Sequence, residues 1–246
     1  MGVSTKTKQT LRGLLRPAGL DLIRWRPQSS PQAALARMLN QHCVNTILDV
    51  GANEGQYAKF MRELGFVGRI VSFEPTSIAH ERLRVSAAND RSWTIAPRMA
   101  LGDHEGEVRI NVASNGGASS SIFPMLEAHQ RAAPDVRYVG SEVVPIFRLD
   151  SVAGSVLEDE EKNIFLKVDV QGYELQVLHG AEGMLDRIVG AQLEVTFAPL
   201  YEGQALLPTL SDYMLKTGFE IWGIIPGLAD DSSGRMLQAD VIFFRS

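Results

Sequence analysis

Two periodicities alternate along most of the chain. Short β-type runs at residues 46–50, 69–73 and 93–96 are separated by helical stretches at 32–41, 55–64 and 77–88. In the second of these, Tyr57, Phe60, Met61 and Leu64 fall on one stripe of a 3.6-residue repeat. In the first, Ala33, Leu35, Ala36, Met38 and Leu39 do nearly the same, and Pro31 suits the opening position of a helix. A β-α-β-α-β unit of this kind predicts a parallel sheet with right-handed crossovers. The pattern then breaks. Residues 107–113 alternate with period two, as a half-exposed strand does, and residues 143–149 read as another strand. Between them, 114–139 opens with Ser114-Asn-Gly-Gly-Ala-Ser-Ser-Ser121 and reads as a long loop with one short helix near 124–132. Loops of this length inside a domain usually cover or bind something. Strands at 164–168 and 188–197 and helices at 174–185 and 206–217 restore the alternation. Two final strands, 219–225 and 241–244, are joined only by turn residues, so they should pair antiparallel.

The chain divides into two parts: a basic arm, 1–30, and one domain, 31–246, with a lid-like insertion at about 114–139. Of 246 residues, 45% are hydrophobic and 22% charged, which places the domain among globular proteins. The net charge of −5 is unevenly held: the arm carries +5, through Lys6, Lys8, Arg12, Arg16, Arg24 and Arg26 against Asp21, and the rest carries −10. Leu11, Leu14, Leu15, Leu22 and Ile23 are interleaved with these cations, and Pro17 and Gly19 should interrupt any helix there. Such an arm suits an anionic membrane surface or a lipid substrate, or equally a solvated tail or an oligomer arm. The acidic remainder speaks against a general nucleic-acid binder. A single cysteine, Cys43, rules out an internal disulfide framework and multi-cysteine zinc sites, and fits a reducing compartment. With no apolar run long enough to span a bilayer and no signal-peptide pattern, the expected location is cytoplasmic, with peripheral contact at the inner membrane surface through the arm.

Three motifs carry candidate chemistry. Asp49-Val-Gly-Ala-Asn-Glu-Gly55 follows a strand and opens a helix. Gly51 allows a tight turn, and the helix start beyond it offers N–H groups to a carboxylate. Asp49 is placed to meet an amine, so the motif suits a ligand bearing both ammonium and carboxylate, such as the methionine part of S-adenosylmethionine. The G-x-G-x-x-G of nicotinamide-dependent oxidoreductases is absent. Phe73-Glu74-Pro75 ends the next strand, and Glu74 lies 23 residues after Gly51, the range of an acid that accepts ribose hydroxyls. In Phe165-Leu-Lys-Val-Asp-Val-Gln-Gly-Tyr-Glu174, Lys167 and Asp169 share one strand face, and Asp169 ends the strand at the ligand-binding edge. Lys167 also reads as a strand lysine paired with a carboxylate, and Asp169 as a helix cap.

With Ser119-Ser-Ser121 and Arg148-Leu-Asp150, these motifs resemble, in order and over about residues 44–246, the FkbM family of S-adenosylmethionine-dependent methyltransferases. The resemblance implies an α/β fold, the Rossmann-like class I methyltransferase fold, with a seven-stranded, mostly parallel sheet whose last strand is antiparallel. It implies methylation of a hydroxyl, often on a sugar of a glycolipid or antibiotic. The basic arm is similar to that of mycobacterial members acting on deoxyhexoses of cell-wall glycolipids. One position departs from the family's pattern: Gln171 stands where Glu is frequent.

The expected cofactor set is Asp49, Gly51, Asn53, Gly55, Glu74, Pro75 and Ala100. Asp169 or Glu194 is expected as general base, since a sugar hydroxyl must lose its proton as the bond forms. Lys167 would hold that constellation in register, and Glu194 reads also as a buried acid paired with Lys167. His129 lies in the insertion and could approach a substrate; His42, His80, His104 and His179 show no metal-ligand spacing. Asp169 with Glu194 could hold Mg2+, which is not expected without a third ligand. Tyr201 and Glu202 could line an acceptor pocket. A non-catalytic glycolipid-binding protein on the same fold and a nicotinamide-dependent oxidoreductase are the competing readings.

Overall fold

The computed structural model describes residues 5–21, 25–157 and 162–245. Leu22, Ile23 and Arg24 of the arm lie outside the described residues.

The arm contains helix α1 (Thr5–Leu15), followed by a 3-10 turn over Arg16–Ala18 that ends on Gly19 in the left-handed region. The α-helix therefore ends just before Pro17 and Gly19, the residues expected to interrupt it. Leu14 and Trp25 are 72% and 66% exposed, and no residue of the 3-10 turn is buried.

Helix α2 (Pro31–Gln41) begins where Ser30 Oγ accepts from Ala33 N at 3.2 Å, with Pro31 at the first position. The first β-α unit follows as expected: β1 (Thr46–Val50), α3 (Gln56–Glu63), β2 (Arg69–Phe73), α4 (Ser77–Ala87) and β3 (Trp93–Ile95). Past a two-residue strand, β4 (Ala100–Leu101), come β5 (Gly106–Ala113), α5 (Glu127–Ala132), β6 (Tyr138–Phe147) and α6 (Leu149–Val156). The chain ends with β7 (Ile164–Val168), α7 (Glu174–His179), β8 (Ile188–Thr196), α8 (Leu207–Lys216), β9 (Phe219–Pro226) and β10 (Gln238–Arg245).

Seven strands form one sheet in the order β3-β2-β1-β7-β8-β10-β9. All its neighbours are parallel except β10, which runs antiparallel to both β8 and β9. The expected seven-stranded, mostly parallel α/β sheet with an antiparallel last strand is what forms. All five residues of β1 and of β7 are buried, as central strands covered on both faces are, and the charged Asp49 and Lys167 among them lie side by side. Leu35, Met61 and Leu83 from α2, α3 and α4 pack one face; Ala153, Val177 and Met214 from α6, α7 and α8 pack the other.

Three elements differ from the expectation. The helix expected over 174–185 stops at Gly180 and resumes as a 3-10 segment, Glu182–Arg187. A Cβ on Gly180 would lie 1.9 Å from the Gly102 carbonyl oxygen, so close backbone approach fixes the break. The strand expected at 143–149 begins at Tyr138 and yields to α6 at Leu149, whose residues Leu149, Ala153 and Val156 supply a buried helical stripe. The strands before and after the insertion do not join the main sheet: β4, β6 and β5 form a separate three-stranded sheet. Its Ala100 and Ile110 reach the wall of the cavity described next.

Candidate functional site

In strand order the sheet reverses between β1 and β7, and open α/β sheets bind ligands at the carboxyl ends of strands beside such a point. A cavity of about 400 Å3 lies there, within the roughly 300–1,000 Å3 of small-molecule sites. Gly51, Asn53, Glu74, Pro75, Ala100, Lys167 and Asp169 all reach its wall. Asp49, Gly55, His129 and Glu194 do not.

The turn after β1 is built for close packing. Gly51 has φ +78°, and a Cβ there would lie 1.8 Å from the Asp169 carbonyl oxygen. The N–H groups of Gly51 and Ala52 both donate to Phe73 O, at 3.1 and 3.0 Å, which binds the β1 turn to the end of β2. Asn53 is left-handed at φ +46°, and its Oδ1 is buried without a hydrogen-bond partner. Gly55 caps α3 without a side chain, so no side-chain acceptor takes the first-turn N–H groups from that position.

A polar row crosses the sheet beneath this turn. Register places Ser72, Asp49, Lys167 and Gln192 side by side on β2, β1, β7 and β8. Trp93 Nε1 donates to Ser72 Oγ at 2.9 Å, and Ser72 Oγ donates to Asp49 Oδ2 at 3.1 Å. Lys167 Nζ lies 3.3 Å from Asp49 Oδ1 and 3.5 Å from Asp169 Oδ2, and donates to Gly51 O at 3.1 Å. Tyr57 OH donates to Gln192 Oε1 at 3.1 Å. Asp49 is 0% exposed, so it is the buried counter-ion of Lys167 and does not itself meet an amine at the cavity wall. Burial raises its pKa, with Lys167 working against that rise. Burial also pulls Lys167 down, but Asp169, Asp49 and Asp240 outweigh it and hold the ammonium above its ordinary value.

Glu74 stands beside Asn53 at the cavity wall. Its Oε2 accepts from Asn53 N at 2.9 Å, and its Oε1 from Thr76 N and Oγ1 at 2.8 and 2.6 Å. Burial raises its pKa while these three donors oppose it. A carboxylate offers about four acceptor positions, so Oε1 is filled and Oε2 keeps one for a ligand hydroxyl.

Asp169, 33% exposed, presents its carboxylate at the cavity from the end of β7. It is not the cap of α7: that position belongs to Tyr173, and Glu174 Oε1 takes the loop N–H groups of Val170 and Gly172 at 3.1 and 3.0 Å. Glu194 is not in contact with Lys167, because Lys167 is level with Gln192 and Glu194 lies one pleat further on. Its partner is Gln171, whose Nε2 donates to Asp169 Oδ1 and Glu194 Oε2, each at 2.8 Å. An amide nitrogen thus stands between the two carboxylates, so they do not fit a Mg2+ pair. Tyr201, fully buried, donates to Gln171 Oε1 at 2.7 Å. The signal for Gln171 in the sequence is its place two residues beyond Asp169; its role is set by β8, which no spacing reveals.

The insertion forms the outer wall. Ser121 Oγ donates to Gln171 O at 2.6 Å, and Asn111 and Ser121 pair as an isolated bridge. These contacts bring Gly117, Ser120 and Ser121 to the cavity. His129 is 2% exposed behind that wall, against the Tyr201 ring at 5.3 Å, and burial lowers its pKa. The Arg148-Leu-Asp150 motif is structural: Arg148 donates to Asp150 at 3.0 and 2.8 Å, to Asp103 O at 3.0 Å and to His179 O at 2.9 Å.

Comparison with known proteins finds similar chains and one matching family profile. Methyltransferase sdnD of Sordaria araneosa is 26% identical over 194 residues, 71% of this chain and 73% of its own. The 2-O-methyltransferase NoeI of Sinorhizobium fredii is 27% identical over 186 residues, 73% of this chain and 74% of its own. Among solved structures, Aeropyrum pernix fibrillarin, crystallised with bound S-adenosyl-L-methionine, is 14% identical with a TM-score of 0.46, over 81% of this chain and 66% of that one. The family profile described as the Methyltransferase FkbM domain matches residues 49–221. Because that profile runs from the Asp49 turn to Ile221 in β9, well over half of the chain, the chain belongs to the FkbM family of methyltransferases.

Proposed function

We propose that this methyltransferase uses S-adenosylmethionine to methylate a hydroxyl, on a sugar of a glycolipid or a related secondary metabolite. The observation that carries the cofactor assignment is the cavity over the Gly51 turn, lined by Asn53, whose Oδ1 is unpartnered, and by Glu74, which keeps one acceptor position. The polar groups suit the cofactor's two ends: Asn53 Oδ1 for an ammonium, the start of α3 for a carboxylate, Glu74 for a ribose hydroxyl. S-adenosylmethionine supplies a methyl group already activated on sulfur.

The chain then has two tasks. It must hold the acceptor oxygen in line and exclude water, and it must take the hydroxyl proton. Of the carboxylates at the cavity, Glu74 is already held by three protein donors and Asp240 has its pKa raised by burial, which leaves Asp169 as the base; such a group contributes about 100–10,000-fold. Lys167 and Gln171 fix it from either side. Glu194 lies behind Gln171 and away from the cavity wall, and burial followed by Asp169, Glu174 and Asp240 raises its pKa.

The hydroxyl assignment draws on the name of the 2-O-methyltransferase NoeI, and the glycolipid assignment on the arm. The arm's cations and exposed Leu11, Leu14, Leu20 and Trp25 fit an anionic lipid surface, where a glycolipid acceptor would lie. The test is incubation with methyl-labelled S-adenosylmethionine and glycolipid extracts, followed by mass spectrometry. Label on a sugar fragment, with a gain of one methylene unit, is the expected result. Label on lipid, protein or RNA in its place overturns the acceptor assignment.

A further inference from the structure

Gln171 is held by more contacts than a cavity-wall residue needs. Its amide nitrogen serves two carboxylates at 2.8 Å each, and its oxygen accepts from the Tyr201 hydroxyl at 2.7 Å. Turned over, the amide would press its oxygen against both carboxylates, so one orientation satisfies the set. The backbone is fixed as well. Gln171 has φ +56°, a region that side-chain-bearing residues seldom adopt, and its carbonyl accepts from Ser121 Oγ at 2.6 Å. Buried Tyr201 and Ser121 thus aim the amide from the far side of the loop.

We propose that Gln171 is a positioning residue for methyl transfer, whose amide, aimed by Tyr201, holds the Asp169 carboxylate toward the acceptor and couples it to Glu194. This rests on Asp169 being the base. The surroundings explain why a neutral donor serves there. Lys167 on β7 faces Asp169, with Asp49 on β1, Glu174 on α7, Glu194 on β8 and Asp240 on β10 around it. Tyr57 on α3 and Tyr201 complete the ring. Burial, with Asp169 adding to it, already raises Asp240 to about 6, and burial raises Glu174 to about 7. An amide gives this acidic cluster two hydrogen bonds and no further negative charge.

The test uses full-length Gln171→Glu and Gln171→Met, with three readouts: the carbon-13 titration of the Asp169 carboxyl, the pH profile of kcat, and the affinity for S-adenosylmethionine. In both variants the Asp169 midpoint should move up, most in Gln171→Glu. Near neutral pH kcat should fall by about 10- to 100-fold, with the acid limb displaced to higher pH, while cofactor affinity stays within about twofold. Tyr201→Phe should move the same readouts less. A merely structural role would lower stability and leave the titration and the acid limb in place, and that result overturns the proposal. Should Gln171→Glu fail to fold, Gln171→Met carries the same outcomes. If the midpoint moves but the parent protein methylates no hydroxyl, the coupling of Gln171 to Asp169 holds and the functional reading fails.

Discussion

Glu74 shows how far one residue could be read without coordinates. Its spacing from Gly51 marks it as an acid at the edge of a nucleotide site, and it lies at the cavity. What spacing could not show is that three protein donors already occupy it. Asp49 is the reverse case. Its position at a strand end suggests a ligand contact, but β7 sets Lys167 directly opposite, and an ammonium 3.3 Å away claims the carboxylate. Which side chain faces which across parallel strands depends on register between segments more than 100 residues apart, and no local pattern encodes that. The Glu74 geometry gives a graded prediction. Glu74→Ala should weaken S-adenosylmethionine binding by about 1.5–3 kcal/mol, the worth of one charge-assisted hydrogen bond, or roughly 10- to 150-fold. It also strands the N–H groups of Asn53 and Thr76, so the melting temperature should fall too. Calorimetry that finds unchanged affinity places the ribose elsewhere.

Among the elements, those with strong periodicity and clear flanks were legible. The strands Thr46–Val50, Arg69–Phe73 and Ile164–Val168 lie where their apolar runs lie, and α5 falls inside the expected 124–132. Elements set by tertiary contact were not. The Gly180 break depends on the Gly102 carbonyl, and β4 is two residues held by β6. Helix α6 was hidden because Leu149 also suits a strand end, and only its packing against the main core decides. The expected 114–139 insertion shortens at its end, since Tyr138 and Val139 belong to β6. Within the arm, Arg12 and Arg16 pair with Asp21, so part of its charge is satisfied internally. An electrostatic membrane role therefore predicts a measurable effect of the other cations. The intact chain should co-sediment with vesicles containing an anionic phospholipid more than with neutral ones. Replacing Lys6, Lys8 and Arg26 with serine should weaken this by about 1 kcal/mol per residue. Equal sedimentation with both vesicle types contradicts that role.

For the whole molecule, strand order decides where the site must be. The β-α alternation shows that the chain turns back on its sheet, and the turn-rich loop before Gln238 shows why β10 runs antiparallel between β8 and β9. No helix among the described residues is long and apolar enough to cross a membrane. The separate sheet of β4, β6 and β5 was the part of the architecture hidden from the sequence, because each strand reads alike whichever sheet receives it. That sheet and the Ser121 loop complete the cavity that the main sheet begins. If this cavity binds S-adenosylmethionine, calorimetric titration of the intact chain with S-adenosylmethionine should show saturable binding at one site per chain, and a separate titration with NADH should give no heat. Binding of NADH with none of S-adenosylmethionine contradicts the cofactor assignment.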